Sequence, residues 1–189
     1  MEDKGVLNVN YYQKRSKVTK KDFVIVCLIL MTVFSLFTQG GWLIYHDASY
    51  KGKVVDAETN QPIEGAAVVA IWYLERYGGA AGPIAKLLDA KEAVTDKKGE
   101  FKIPLMIGFH WWPFSTLDKP NLTVFKPGFS EIKKYNYDIR NAIINLPKAR
   151  TRKERIKAMT DAGFADNIQP WKIPNVLKMM DEEYKLLEI

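Results

Sequence analysis

The feature that most constrains this chain is a long run without charge near its N-terminus. Residues 23–45 contain no Asp, Glu, Lys or Arg, and residues 23–37 are almost entirely apolar. An α-helix over the whole run would be about 34 Å long, enough for the ~30 Å hydrocarbon core of a bilayer. Trp42 and Tyr45 lie at its C-terminal end, where aromatic rings favour the headgroup region. The run therefore predicts a transmembrane signal anchor over residues 23–45.

The charges that flank this run predict its orientation. Five basic residues lie in the nine positions before it: Lys14, Arg15, Lys17, Lys20 and Lys21. Because positive charge is retained on the cytoplasmic side, residues 1–22 are expected in the cytoplasm and everything after residue 45 outside it. This predicts a single-pass protein of the inner membrane whose β domain is periplasmic or otherwise extracytoplasmic. Two alternatives remain, a buried helix of a soluble protein and a cleaved signal peptide, although Thr38-Gln39-Gly40 is a poor cleavage site.

The net charge of +6, from 28 basic and 22 acidic residues, comes from two short segments. Residues 1–22 carry +3 and residues 148–157 carry +5, whereas residues 46–147 carry only +1. Nucleic-acid binding needs a basic face on the folded domain. No nucleic-acid partner is therefore expected.

Residues 46–147 consist of short β-branched runs separated by turn residues, which is typical of an all-β domain. Gly99 ends a tight turn that requires a positive φ, and Pro147 ends the last run. The predicted fold class is mainly β, a seven-stranded antiparallel Ig-like β-sandwich. The predicted strands are 51–55, 66–74, 92–95, 100–103, 122–125, 130–135 and 142–146.

Four motifs in this domain resemble the carboxypeptidase regulatory-like (transthyretin-like) domain family. They are Gly52-Lys53-Val54-Val55-Asp56, Pro62-Ile63-Glu64-Gly65-Ala66, Val94-Thr95-Asp96-Lys97-Lys98-Gly99-Glu100-Phe101 and Lys126-Pro127-Gly128-Phe129. The resemblance implies a transthyretin-like sandwich and no particular activity, because such modules occur in many proteins. Membrane-anchored bacterial proteins of this type have an ending similar to Ile173-Pro174…Glu182-Glu183.

Related adhesin domains form a Lys–Asn isopeptide bond between their first and last strands. Lys53 and Asn145 lie on the corresponding strands here. The resemblance leaves two alternatives for this pair, a covalent cross-link or two solvent-facing side chains.

The sequence contains little material for catalysis. One cysteine and two histidines 64 positions apart supply neither a zinc site nor a nucleophile with its base. Enzymes of transthyretin-like fold that hydrolyse a purine-derived ring end in Tyr-Arg-Gly-Ser, and this chain does not. The chain is therefore predicted not to be an enzyme and to use no cofactor or metal.

Two long connections are predicted, over residues 75–91 with a helical turn at 84–88 and over residues 105–120. The second contains the aromatic interface candidates Phe109, Trp111, Trp112 and Phe114. These rings either cover the open end of the sandwich or contact a partner protein or the bilayer interface.

A helical tail is predicted over residues 148–189. Thr151 and Glu154 form a capping-box pattern that opens a helix over residues 152–162, and Ile173-Pro174 opens a second helix. The second helix carries an apolar stripe, packed on the sandwich or docked to a partner: Val176, Leu177, Met180, Tyr184 and Leu187. The basic residues before and within the first helix are either locally paired or face anionic lipid or an acidic partner: Lys148, Arg150, Arg152 and Arg155.

Together these patterns predict a non-catalytic, membrane-anchored envelope module whose β domain supports protein–protein interaction or assembly. Its expected partners are the bilayer and a protein. One alternative is an accessory subunit of a membrane enzyme or transport complex. Another is a carbohydrate-binding module that stacks sugars on Trp111 and Trp112.

Overall fold

The computed structural model describes residues 19–38, 44–112, 115–130, 132–134, 141–161 and 168–188. The chain divides after residue 39 into two compact units. The first contributes one described helix, and the second contains all described strands and the two tail helices.

The first unit contains helix α1, Lys20–Thr38. Its N-terminus is capped reciprocally, because the Thr19 backbone N–H donates to Asp22 Oδ2 at 2.9 Å and the Asp22 N–H donates to Thr19 Oγ1 at 3.3 Å. Nearly all its side chains from Phe23 to Phe34 are exposed within this unit. Among the described residues, no helix meets the length and hydropathy needed to cross a membrane.

The predicted anchor boundary at residue 45 is wrong. α1 ends at Thr38, and Ile44–Asp47 forms the first strand of the second unit. Tyr45 is buried there, with its hydroxyl 2.7 Å from Ser115 Oγ, so it is a core residue and not an interfacial aromatic at the end of a helix.

The second unit is mainly β, as predicted, but it contains ten described strands and not seven. They are β1 (Ile44–Asp47), β2 (Tyr50–Asp56), β3 (Ala67–Tyr77), β4 (Pro83–Val94), β5 (Glu100–Ile103), β6 (Met106–Phe109), β7 (Ser115–Leu117), β8 (Asn121–Phe125), β9 (Ile132–Lys134) and β10 (Ala142–Leu146). Two helices follow, α2 (Arg152–Asp161) and α3 (Pro174–Leu186).

The strands form two main sheets and a two-stranded ribbon. One sheet has the order β4-β3-β8-β9, with β7 also on β3, and the other has the order β10-β2-β5. Their inner faces meet in one core, where Val54, Phe101 and Ile144 pack with Trp72 and Val124. The ribbon consists of β1 and β6. This arrangement is consistent with the predicted β-sandwich.

One strand pair departs from the predicted antiparallel pattern. β10 pairs with β2 in parallel, with Ile144 opposite Val54, whereas every other described strand pair is antiparallel. A short antiparallel hairpin cannot connect these two strands, because they run in the same direction.

The predicted connections 75–91 and 105–120 are largely strands. β3 and β4 remain paired from Ala67↔Val94 to Tyr77↔Pro83, so the helical turn predicted at 84–88 is wrong. Continuous pairing satisfies the backbone groups of both strands, which a surface loop would leave to water. β6 and β7 occupy much of the second connection.

The tail helices cover the outer face of the larger sheet. Ala67, Val69 and Ile71 of β3 pack with Met159 of α2 and Val176 of α3 in a second core. The predicted capping box of α2 is present, since the Glu154 N–H donates to Thr151 Oγ1 at 3.1 Å and the Thr151 N–H donates to Glu154 Oε2 at 3.2 Å.

The predicted stripe of α3 is only partly buried. Val176 and Leu187 lie in the second core and Met180 packs against it, which favours packing on the sandwich for these residues. Leu177 and Tyr184 are exposed, and the buried position between them belongs to Glu183. A helix turns 100° per residue, so positions three and four apart lie on the same face. A stripe defined only by apolar residues therefore misses Glu183, a carboxylate that can be buried on that face because it has a partner.

Candidate interaction surfaces

The β1–β6 ribbon is held to the domain by its inner face. Tyr45 of β1 and Met106 of β6 are buried, and the Tyr45 hydroxyl shares a hydrogen bond with Ser115 Oγ. Asp47 Oδ2 accepts hydrogen bonds from the Tyr50 hydroxyl at 2.6 Å and from Trp72 Nε1 at 2.7 Å. These polar contacts fix β1 against the sandwich core.

The outer face of the ribbon is apolar and open. Side chains alternate between the two faces of a strand, so Ile107 and Phe109 of β6 point to the same side, and the exposure pattern continues this alternation at Leu105 and Trp111, which flank the strand. We call these residues, together with Ile44, which pairs with Phe109, the ribbon stripe. Their exposed fractions are 64% for Ile44, 52% for Leu105, 65% for Ile107, 74% for Phe109 and 59% for Trp111. His46, opposite Ile107, is its polar member.

The ribbon stripe includes two predicted interface candidates and three residues that the sequence reasoning missed. Phe109 and Trp111 were singled out as aromatic residues, whereas Ile44, Leu105 and Ile107 were not. The period-two alternation of apolar residues from 105 to 111 is the signal that identifies the last two. Ile44 was assigned to the membrane run. Phe114 lies outside the described residues.

Trp112 differs from its neighbour Trp111. It is half-buried, with Arg76 Cζ 4.9 Å and Lys86 Nζ 6.0 Å from its ring centroid. These are cation–π distances. Burial, followed by the charge of Lys86, lowers the pKa of His110 below its ordinary 6.5, which favours the neutral imidazole.

The predicted basic candidates bind other parts of this chain. Arg150 donates to Glu58 Oε1 at 2.6 Å, and Lys148 lies 3.1 Å from Asp56 Oδ2. Arg152 donates to the Leu187 carbonyl at 2.9 Å. These contacts connect the tail to the domain and α2 to the end of α3.

Arg155 forms the most buried of these ion pairs. Its Nε and a terminal nitrogen donate to the two carboxylate oxygens of Glu183, at 2.5 and 2.7 Å. Glu183 is 1% exposed, and this contact raises the pKa of Arg155. These basic residues are therefore paired within the chain, with groups distant in sequence: the carboxylates of Glu58, Asp56 and Glu183 and the Leu187 carbonyl. Contact with anionic lipid or an acidic partner stays a prediction.

We expect Asp56 to make the free energy of unfolding depend on pH in the acidic range. Hydrogen bonds from the Glu58 backbone N–H and then contact with Lys148 lower the pKa of Asp56 below its ordinary 3.8, despite its burial. Since the folded pKa is the lower one, this contribution is present above about pH 4 and is lost as pH falls through the folded pKa. In urea titrations below pH 4, Asp56→Asn should therefore give a shallower pH dependence than wild type; an unchanged slope would contradict this assignment.

The structure gives no support to a cross-link between Lys53, which is half-buried, and Asn145, which is exposed. Lys53 lies opposite Ile143, whereas Asn145 lies opposite Val55 and is exposed. The pair is therefore offset by two positions and lacks a dry environment.

The described residues contain no group of three or more His, Cys, Asp or Glu side chains that could hold a metal ion. No protein-family model matches this chain, and no similar curated protein is found. The resemblance to the carboxypeptidase regulatory-like family therefore stays a prediction.

Proposed function

We propose that this chain is a non-catalytic, membrane-anchored module that presents a β-sandwich domain outside the cytoplasm for assembly with another protein. The observation that carries the proposal is α1, whose apolar side chains from Phe23 to Phe34 are exposed around the helix. A helix that is apolar on all sides needs an apolar environment. The uncharged sequence continues from α1 to the start of β1.

The proposed protein-binding surface is the solvent-facing side of the layer formed by α2 and α3, which we call the helical layer. Trp171, which precedes α3, and Leu177 and Tyr184 on α3 are all exposed. Tryptophan and tyrosine are enriched at the centres of protein interfaces. An accessory subunit of a membrane complex is a specific form of this function, in which the partner is permanent and stoichiometric.

A carbohydrate-binding function has weaker support. The stacking platform predicted from Trp111 and Trp112 needs two free ring faces, but Arg76 lies 4.9 Å from the centroid of the Trp112 ring. Only Trp111 presents a largely exposed ring.

The anchor and its orientation are tested in the full chain. We expect the protein to resist alkaline carbonate extraction from membranes, to dissolve in detergent, and to keep an N-terminus at or near Met1. A reporter fused after Ile189 should be active only when exported. Extraction by carbonate, or a mature N-terminus near residue 41, would overturn the anchor.

The partner is tested by purification from native membranes in mild detergent. A stoichiometric protein that is lost with Trp171→Ala or Tyr184→Ala supports the proposed surface. Ile143→Ala is the control, because Ile143 is an exposed apolar residue on β10, outside the helical layer. A partner retained by both variants, or lost equally with the control, would contradict this surface.

A further inference from the structure

We propose that the ribbon stripe is a membrane-docking surface that lies in the headgroup region of the bilayer that holds the anchor. The proposal rests on the proposed function, because it requires an anchored chain. It assigns the outer faces of β1 and β6 to lipid and leaves the helical layer for the protein partner.

The composition of the ribbon stripe fits an interfacial environment. Its five apolar members include Phe109 and Trp111, and each exposes more than half of its surface. Aromatic side chains concentrate at membrane–water interfaces. Contiguous apolar patches on a domain surface mark contact sites for protein or membrane.

The connection to the anchor favours lipid over a soluble partner. Only residues 39–43 lie between the end of α1 and Ile44, the first member of the ribbon stripe. A chain of that length spans at most about 22 Å from Thr38 to Ile44. If α1 ends at the bilayer surface, Ile44 is therefore tethered within that distance of the headgroups.

The charges near the ribbon stripe also fit lipid. Arg76 and Lys86 lie over the ring of Trp112, the residue that follows Trp111. Lys91 donates to the carbonyl of Leu105, itself a member of the stripe. Cationic side chains beside an apolar surface can contact anionic headgroups while the apolar side chains enter the interface.

The ribbon is already folded in the conformation that presents this surface to the membrane. Tyr45 and Asp47 fix β1 through Ser115, Tyr50 and Trp72, and β6 pairs with β1 over four residues. The outer side chains are therefore already aligned, and docking would not require the ordering of a disordered segment.

The test uses spin labels on the full chain in nanodiscs that contain anionic lipid. Native Cys27 is first replaced by alanine, and a single label is then attached after Ile107→Cys, Phe109→Cys or Ile143→Cys. Ile143 is the matched control for Ile107, because both are strand isoleucines, with exposed fractions of 64% and 65%. Leu30→Cys in α1 reports on the anchor. Unchanged circular dichroism shows that each variant folds.

Lipid contact is measured as the ratio of collisions with oxygen to collisions with a water-soluble nickel complex. We expect this ratio to be several-fold higher at residues 107 and 109 than at residue 143. Equal ratios at 107 and 143, with a high ratio at 30, would overturn the docking surface while leaving the anchor intact. A low ratio at residue 30 would overturn the proposed anchor itself.

The same labels test whether a second copy of the chain or the protein partner, and not lipid, covers the ribbon stripe. Strong dipolar broadening between labels at residue 109 would show that a second copy covers the ribbon stripe, which would overturn the assignment to lipid. Addition of the purified protein partner should leave the collision ratio at 107 and 109 unchanged. A partner that shields these labels from both reagents would also overturn the proposal.

Discussion

Changing Gly99 to alanine is expected to lower the free energy of unfolding by about 3 kcal/mol. Gly99 has a φ of +74°, which strains any L-residue, and a Cβ there would lie 2.4 Å from the Val54 carbonyl oxygen. That oxygen is fixed, because it accepts from the Ile63 N–H at 3.1 Å while the Val54 N–H donates to the Gly99 carbonyl at 2.8 Å. These hydrogen bonds hold the Val54 carbonyl in place, so a Cβ at residue 99 cannot avoid the close contact without breaking one of them.

Gly128→Ala is the matched control for this prediction. Gly128 has a similar φ of +79°, but no atom lies within 4 Å of the position that its Cβ would occupy. Only backbone strain applies, so the expected loss is about 1 kcal/mol. Chemical denaturation of both variants measures the difference. Equal losses would show that the contact with Val54 has no energetic effect.

Changing Arg155 to alanine is expected to lower the free energy of unfolding by about 2–3 kcal/mol, less than the ~3–5 kcal/mol of a fully buried ion pair because the arginine is partly exposed. Glu183 is 1% exposed, whereas the Arg155 side chain is 30% exposed. The variant would leave the Glu183 carboxylate buried without its bidentate donor. Because the pair joins α2 to α3, we expect faster hydrogen exchange in both helices.

Two further variants test the physical reason for this loss. Arg150→Ala removes an exposed pair with Glu58 and should change the unfolding midpoint little, since solvent screens such pairs. The double variant Arg155→Met/Glu183→Leu should recover most of the stability, because it buries no unpaired charge. A double variant as unstable as Arg155→Ala would indicate that the pair is needed for more than charge compensation.

The turns and most strands of the sandwich were predictable because their signals are local. Gly99 was predicted to need a positive φ, and the structure confirms it. The strand over residues 142–146 coincides with β10. The capping box of α2 was visible as a four-residue pattern, and its reciprocal hydrogen bonds are present.

The errors arise where distant residues decide the structure. Tyr45 lies at the end of an uncharged run, but it pairs with Gly108 of β6 as a strand residue, and its hydroxyl is held by Ser115, 70 positions later. Glu183 reads as a solvent-facing residue until Arg155 is brought beside it. Residues 84–88 contain helix-forming alanine, lysine and leucine, but pairing with β3 overrides that propensity.

The ribbon stripe was half predictable for the same reason. The sequence identifies Phe109 and Trp111 as candidates by residue type alone, within a predicted connection. The pairing of β6 with β1 brings Ile44 beside Phe109. That pairing depends on the strand character of residues 44–47, the first two of which lie in the uncharged run that predicts the anchor.

The parallel pairing of β10 with β2 determines when this domain can fold during synthesis. Gly52 and Ala142 are partners about 90 positions apart, so the smaller sheet cannot close until nearly the whole domain has left the ribosome. Until then β2 has one unpaired edge, and Val54 lacks the neighbouring Ile144. In the nascent chain the smaller sheet therefore stays open until late in translation, and the edge of β2 remains available for wrong pairing until β10 arrives.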